Sequence, residues 1–129
     1  MKGVTNMPIK WLNVASKEGT ASLYATNITL NTVASVPLEY AYRVQVGFDD
    51  NDNVVIQPLN KEKVIRGDLD EYSLLKISQK KTYSRISSTR IMEQIAEHLG
   101  IVLDNEPKKF KTIWDDNENV LVILTGKEK

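Results

Sequence analysis

One phrase is spelled twice in this chain. Phe48-Asp49-Asp50-Asn51-Asp52-Asn53-Val54-Val55-Ile56 returns 66 residues later as Trp114-Asp115-Asp116-Asn117-Glu118-Asn119-Val120-Leu121-Val122. An aromatic residue, an Asp/Asn-rich run and an apolar strand recur in the same order, which is the mark of one supersecondary unit built twice. Phe48 and Trp114 are then expected in matching positions of two equivalent hairpins, the alternative being independent convergence on a common turn sequence. With 129 residues, two such units share a core more readily than they fold apart. The expectation is a single domain, 1–129, which also reads as two tandem units at about 8–60 and 72–125.

The patterning between the phrases favours strands. Residues 8–30 read as a hairpin, with Ile9 and Trp11 on one arm, Tyr24, Thr26, Ile28 and Leu30 on the other, and Ser16-Lys17-Glu18-Gly19 as the turn. Val33 to Ala41 is ambiguous, with Pro37 suited to the first position of a single helical turn. Tyr42 to Phe48 alternates with period two and reads as a strand. Asp49 to Asn53 turns the chain, and Val54 to Pro58 returns antiparallel to it. The polar stretch Asn60 to Glu71 is the junction between units. Tyr72 to Ser78 and Thr82 to Ile86 read as strands around a Gln79-Lys80-Lys81 turn. Ile91, Met92, Ile95, Ala96 and Leu99 make an apolar stripe at helical spacing, with Ser87, Ser88 and Thr89 as candidate caps. Gly100 suits a left-handed stop with Ile101 folding back. After the acidic loop Asp104 to Pro107, Phe110 to Trp114 and Val120 to Thr125 form the second hairpin. The fold class this implies is α+β, mainly antiparallel strands with one clear helix, the two strand–helix–hairpin units making a small barrel or sandwich.

Composition narrows the chemistry. Apolar residues at 41% and charged residues at 26% are ordinary for a globular protein. The absence of cysteine excludes disulfides, thiol catalysis and cysteine-ligated metal sites. The N-terminus opens without an apolar signal-like segment, and no window offers the roughly 18 apolar residues of a membrane span. The expectation is a cytoplasmic protein with no membrane partner.

The turn phrases imitate the opening of an EF-hand loop through Asp49-x-Asn51-x-Asn53 and Asp115-x-Asn117-x-Asn119. They lack its glycine, replaced by Val54 or Val120, and its closing glutamate, replaced by Asn60 or Gly126. Asp and Asn at these positions are read as turn formers, because they tolerate positive φ and bond their own backbone. His98, the single histidine, has no metal-ligating or triad partners in the pattern and is read as structural or solvent-facing. No Walker A or GxGxxG phosphate loop occurs. Neither an enzyme, a cofactor nor a small-molecule substrate is expected.

Formal net charge is zero, 17 Lys and Arg against 17 Asp and Glu, yet the charges are segregated. No acidic residue lies between Tyr72 and Met92, where Lys76, Lys80, Lys81, Arg85 and Arg90 fall. Arg85 leads into Ser87-Ser88-Thr89-Arg90 at a helix N-terminus, where free N–H groups and the helix dipole favour an anion. Lys80, Lys81, Arg85 and Arg90 are the candidate phosphate contacts. The competing reading is a solvated face beside an ordinary N-cap.

The run Arg85-Ile86-Ser87-Ser88-Thr89-Arg90-Ile91-Met92-Glu93-Gln94-Ile95, passing into Leu99-Gly100-Ile101 and a strand hairpin, resembles the AbrB-type swapped-hairpin regulators. Two such units in one chain resemble the MraZ branch, whose tandem copies form a pseudo-dimeric barrel. Ser84 stands where that family commonly has glycine, and Thr89 where it commonly has proline. The resemblance implies a DNA-binding transcriptional regulator acting as a homo-oligomer on duplex DNA, with Arg85, and Arg90 after it, as DNA contacts. The alternative is a protein-interaction or assembly module that binds no nucleic acid, which the zero net charge favours.

Overall fold

The computed structural model describes residues 8–12 and 17–126. Among them eight strands pair into one antiparallel sheet: β1 (Thr20–Leu23), β2 (Asn27–Asn31), β3 (Arg43–Phe48), β4 (Val54–Leu59), β5 (Ser78–Gln79), β6 (Tyr83–Ser87), β7 (Lys108–Asp115) and β8 (Val120–Ile123). Their spatial order is β3-β4-β8-β7-β1-β2-β6-β5. The sheet curls so far that its edges touch: Val44 and Leu75, the latter just ahead of β5, exchange N–H to O=C bonds of 2.9 and 2.8 Å. The helices are α1 (Thr32–Ser35), α2 (Lys61–Ile65) and α3 (Thr89–Leu99), with 3-10 turns at Val36–Leu38 and Glu71–Ser73. The architecture is thus α+β, mainly antiparallel strands with few short helices.

Period-two alternation decides what the curl encloses. Ala21 and Leu23 on β1, Ile28 and Leu30 on β2, Ile86 on β6, Ile56 on β4, and Leu121 and Ile123 on β8 all point inward and are buried. Ser84 is the one buried polar residue among those described, and its Oγ lies 2.7 Å from Ser35 Oγ on α1. Such pairing removes the cost of an unsatisfied hydroxyl in the core. Asn31 Oδ1 accepts from the Ala34 and Thr20 N–H groups, both at 3.0 Å, and so caps α1 while tying it to β1. Gly19 is required where these elements meet, because a Cβ there would collide with the Thr112 hydroxyl and crowd Ala34.

The long helix follows from its caps and its stripe. Ser88 Oγ accepts from the Ile91 N–H at 3.2 Å, and Gly100, at φ +67°, ends the helix with the Ile101 N–H donating to the Ala96 carbonyl at 3.0 Å. This is a Schellman stop. Met92 and Ile95 are buried in the core, while Leu99 packs half-buried at its edge.

Two expected strands are corrected. Residues 8–12 carry no strand, and Ile9 and Trp11 are exposed. The first hairpin instead pairs β1 with β2, Ala21 opposite Leu30, and Tyr24 to Thr26 make its turn, closed by the Tyr24 N–H on the Asn27 carbonyl at 2.9 Å. Of the expected turn Ser16 to Gly19, Ser16 lies outside the described residues. Between Tyr72 and Ser78 there is only the Leu75 bridge and the start of β5. Asp70 Oδ1 accepts from the Tyr72 N–H at 3.0 Å and winds that stretch into a 3-10 turn.

Both repeated phrases do turn hairpins, in different registers. Phe48 stands opposite Val54, whereas Trp114 stands opposite Leu121, one residue further on. A one-residue slip sends the return strand to the other face. Val54 and Ile56 accordingly point inward and are buried, while their counterparts Val120 and Val122 point outward. The two aromatics differ as well, since Phe48 is 36% exposed and Trp114 packs against the core.

In the first turn, Asp49 Oδ1 accepts from the N–H groups of Asn51 and Asn53, both at 2.9 Å. Partial burial raises the Asp49 carboxyl, but the Asn53 and Asn51 donors outweigh it and hold the group below the usual carboxylate range. A depressed folded pKa adds stability above the unfolded value, about 3.9, and loses it as pH falls through the folded one. Asp49→Ala is therefore expected to cost about 1 kcal/mol at pH 7. Denaturant melts of the two proteins should converge near pH 2, and an equal gap at both pH values would contradict the assignment.

Candidate nucleic-acid interface

The four cations singled out in the sequence are spread along β6 rather than clustered. Lys80 and Lys81 sit at the β5–β6 turn, closed by the Lys80 N–H on the Tyr83 carbonyl at 2.8 Å. They share a shallow depression with Thr32, Ser35 and Glu39. Arg85 lies midway along β6 on the outer face. Its Nε donates to Thr29 Oγ1 at 3.5 Å, and its guanidinium sits 5.2 Å from the centre of the Tyr83 ring. Arg90 is beyond the far end of β6, exposed in the first turn of α3, which also carries Glu93 and Glu97. Ser88, a candidate cap in the sequence, holds that place through its bond from the Ile91 N–H.

Strand pairing adds a residue that local sequence did not suggest. Lys109 stands opposite Ser22, Ser22 opposite Thr29, Thr29 opposite Arg85, and Arg85 opposite Ser78. One row thus crosses five strands on the outer face, with a cation near each end and short hydroxyls between. Strands lie about 4.8 Å apart, so Lys109 and Arg85 are separated by roughly 14 Å. No Asp or Glu occurs in β1, β2, β5, β6 or the Lys108–Lys111 part of β7. Among the described residues the ion pairs are Arg66–Asp68 and Lys111–Glu18, and the His98–Asp52 hydrogen bond becomes a third only when the imidazole is protonated, so Lys80, Lys81, Arg85, Arg90 and Lys109 enter none.

The alternation Lys109-x-Lys111 on an exposed strand was the available signal for this face, but which strands it would join is a non-local fact. His98 serves elsewhere. Its Nε2 is 2.9 Å from Asp52 Oδ1, and its ring stacks on Phe48 at 3.8 Å, joining the end of α3 to the first Asp/Asn turn. Asp115 Oδ1 accepts from the Asn117 and Glu118 N–H groups at 2.9 and 3.1 Å, so the acids that open both phrases act as turn formers.

No helix among the described residues is long and apolar enough to cross a membrane. Comparison with protein-family models, curated proteins and solved structures finds no match for this chain.

Proposed function

We propose that this chain is a duplex-DNA-binding regulator of the swapped-hairpin kind, two strand–helix–hairpin units in one chain, that works by binding rather than catalysis. The row Lys109–Ser22–Thr29–Arg85–Ser78 is its phosphate-facing surface, and this row is the observation that carries the reading. Lysine, arginine and short hydroxyls are the groups that contact phosphate and sugar, and they set register on a duplex without reading sequence. Lys80 and Lys81 extend the surface at the β5–β6 turn. Arg90 is a peripheral member.

The strand order supports the two-unit part. With the edges joined at Val44 and Leu75, exchanging β1–β4 for β5–β8 leaves every neighbour relation unchanged. The β3–β4 hairpin then lies beside the segment leading into β5, as the β7–β8 hairpin lies beside β1. Read as two units, each unit's second hairpin sits against the start of the other, at β1 on one side and at Leu75 ahead of β5 on the other, and this supports a swapped arrangement. The units are unequal because the helical element between β2 and β3 is two short turns, while α3 runs through 11 residues.

Fluorescence anisotropy with a labelled duplex tests the proposal, comparing the wild type with an Arg85→Ala, Lys109→Ala variant. Weaker binding by the variant is expected. An assembly module without nucleic acid draws on the net charge of zero and on an exposed aliphatic face elsewhere in the sheet, and it predicts no duplex binding by either protein.

A further inference from the structure

Residues Val120-Leu121-Val122-Ile123-Leu124 are apolar at five consecutive positions. In an antiparallel sheet with one face to the core and one to water, a strand alternates; an unbroken apolar run belongs to a strand covered on both faces. Leu121 and Ile123 fill the interior, and the other three point outward. The same outer face continues sideways, with Val122 opposite Ile113 on β7 and opposite Val55 on β4. Val55 in turn stands opposite Gly47 on β3, which leaves open space where a side chain would stand. Ile113 is 55% exposed and Leu124 37%. This is an aliphatic patch on the outer face of the curled sheet, on the half away from Arg85.

We propose that a second copy of this chain docks here, sheet face against sheet face, about a two-fold axis near Ile113. The charges on β7 argue for that occupant. Lys111 and Asp115 lie on the same face as Ile113, one two residues before it and the other two residues after. A two-fold contact must be complementary to itself. Opposite charges equidistant from an apolar centre meet that condition: antiparallel apposition places the partner's Asp115 beside Lys111, whose exposed pair with Glu18 is long, at 3.9 Å, and Asp115 keeps its Oδ1 on its own turn. A centre of Ile113, Val122 and Val55 with a charged rim has the anatomy of a protein interface.

This pairing does not depend on DNA, so its test is independent of that reading. Sedimentation velocity without nucleic acid, at chain concentrations from micromolar to about 100 µM, should show a species of twice the chain mass. Ile113→Glu should weaken self-association roughly tenfold or more, as loss of a central contact does. Lys111→Glu, a change at an exposed site that leaves the core untouched, should weaken it in the same direction. Arg85→Glu, on the other half of the sheet, should leave it unchanged. A wild type that stays monomeric throughout would overturn the proposal, and so would folded Ile113→Glu and Lys111→Glu variants that dimerise as tightly as the wild type.

Discussion

Arg85→Glu combined with Lys109→Glu is expected to lower duplex affinity by two orders of magnitude or more while leaving the fold intact. Both side chains are exposed, and neither belongs to an ion pair among the described residues. Removing them therefore orphans no buried partner. Each hydrogen bond from a cation to phosphate is worth roughly 1.5–3 kcal/mol, so losing two exceeds a hundredfold before the repulsion of the new carboxylates is added. The two positions act together because strand pairing places them in one row, although 24 residues of sequence separate them. Arg90→Glu should have the smaller effect, since Arg90 stands past the end of β6 beside the acids of α3. Anisotropy titrations with one duplex and one buffer make the comparison, and a double variant that binds like the wild type would remove this face from the account.

Ile95→Ala should cost roughly 2–5 kcal/mol, because its side chain is 1% exposed and lies in the core between α3 and the sheet. That is a large share of the roughly 5–15 kcal/mol that holds an ordinary domain together. Leu99, expected from its spacing to be equally central, is half-buried and should cost less. His98→Ala removes an exposed bond to Asp52 and a stacked ring. Neither contact fills the core, so that loss should stay near 1 kcal/mol. Urea melts of the three variants rank the helix face, and a His98→Ala loss equal to that of Ile95→Ala would mean the buried stripe is wrongly placed.

Local patterns were legible where one interaction dominates. Ser88, Met92, Ile95 and Gly100 define α3 through capping, spacing and a left-handed stop, all within 13 residues. The Asp/Asn turns were legible for the same reason, because Asp49 and Asp115 bond their own backbone. Partnership was not legible. Ile9 and Trp11 alternate like a strand, but Thr20 to Leu23 holds the places beside β2 and β7. Tyr72 to Ser78 has strand composition, yet the Asp70 cap captures its first residues. The one-residue slip between the hairpins was hidden by similar lettering: the first turn spends five residues between its strands and the second four. Lys109 was missed because nothing near it in sequence says that β7 borders β1.

Phosphate contact by the Arg85–Lys109 face is read out by the salt dependence of duplex affinity. Binding measured from about 50 to 200 mM salt should weaken steeply, with log affinity falling by about 0.9 for each phosphate neutralised in every tenfold rise in salt. Contact through Arg85, Lys109 and the Lys80–Lys81 turn predicts a slope near −3 for the wild type, flattening by about two units in the Arg85→Glu, Lys109→Glu variant. Absence of duplex binding at 50 mM, or a wild-type slope that the double reversal leaves unchanged, would contradict it.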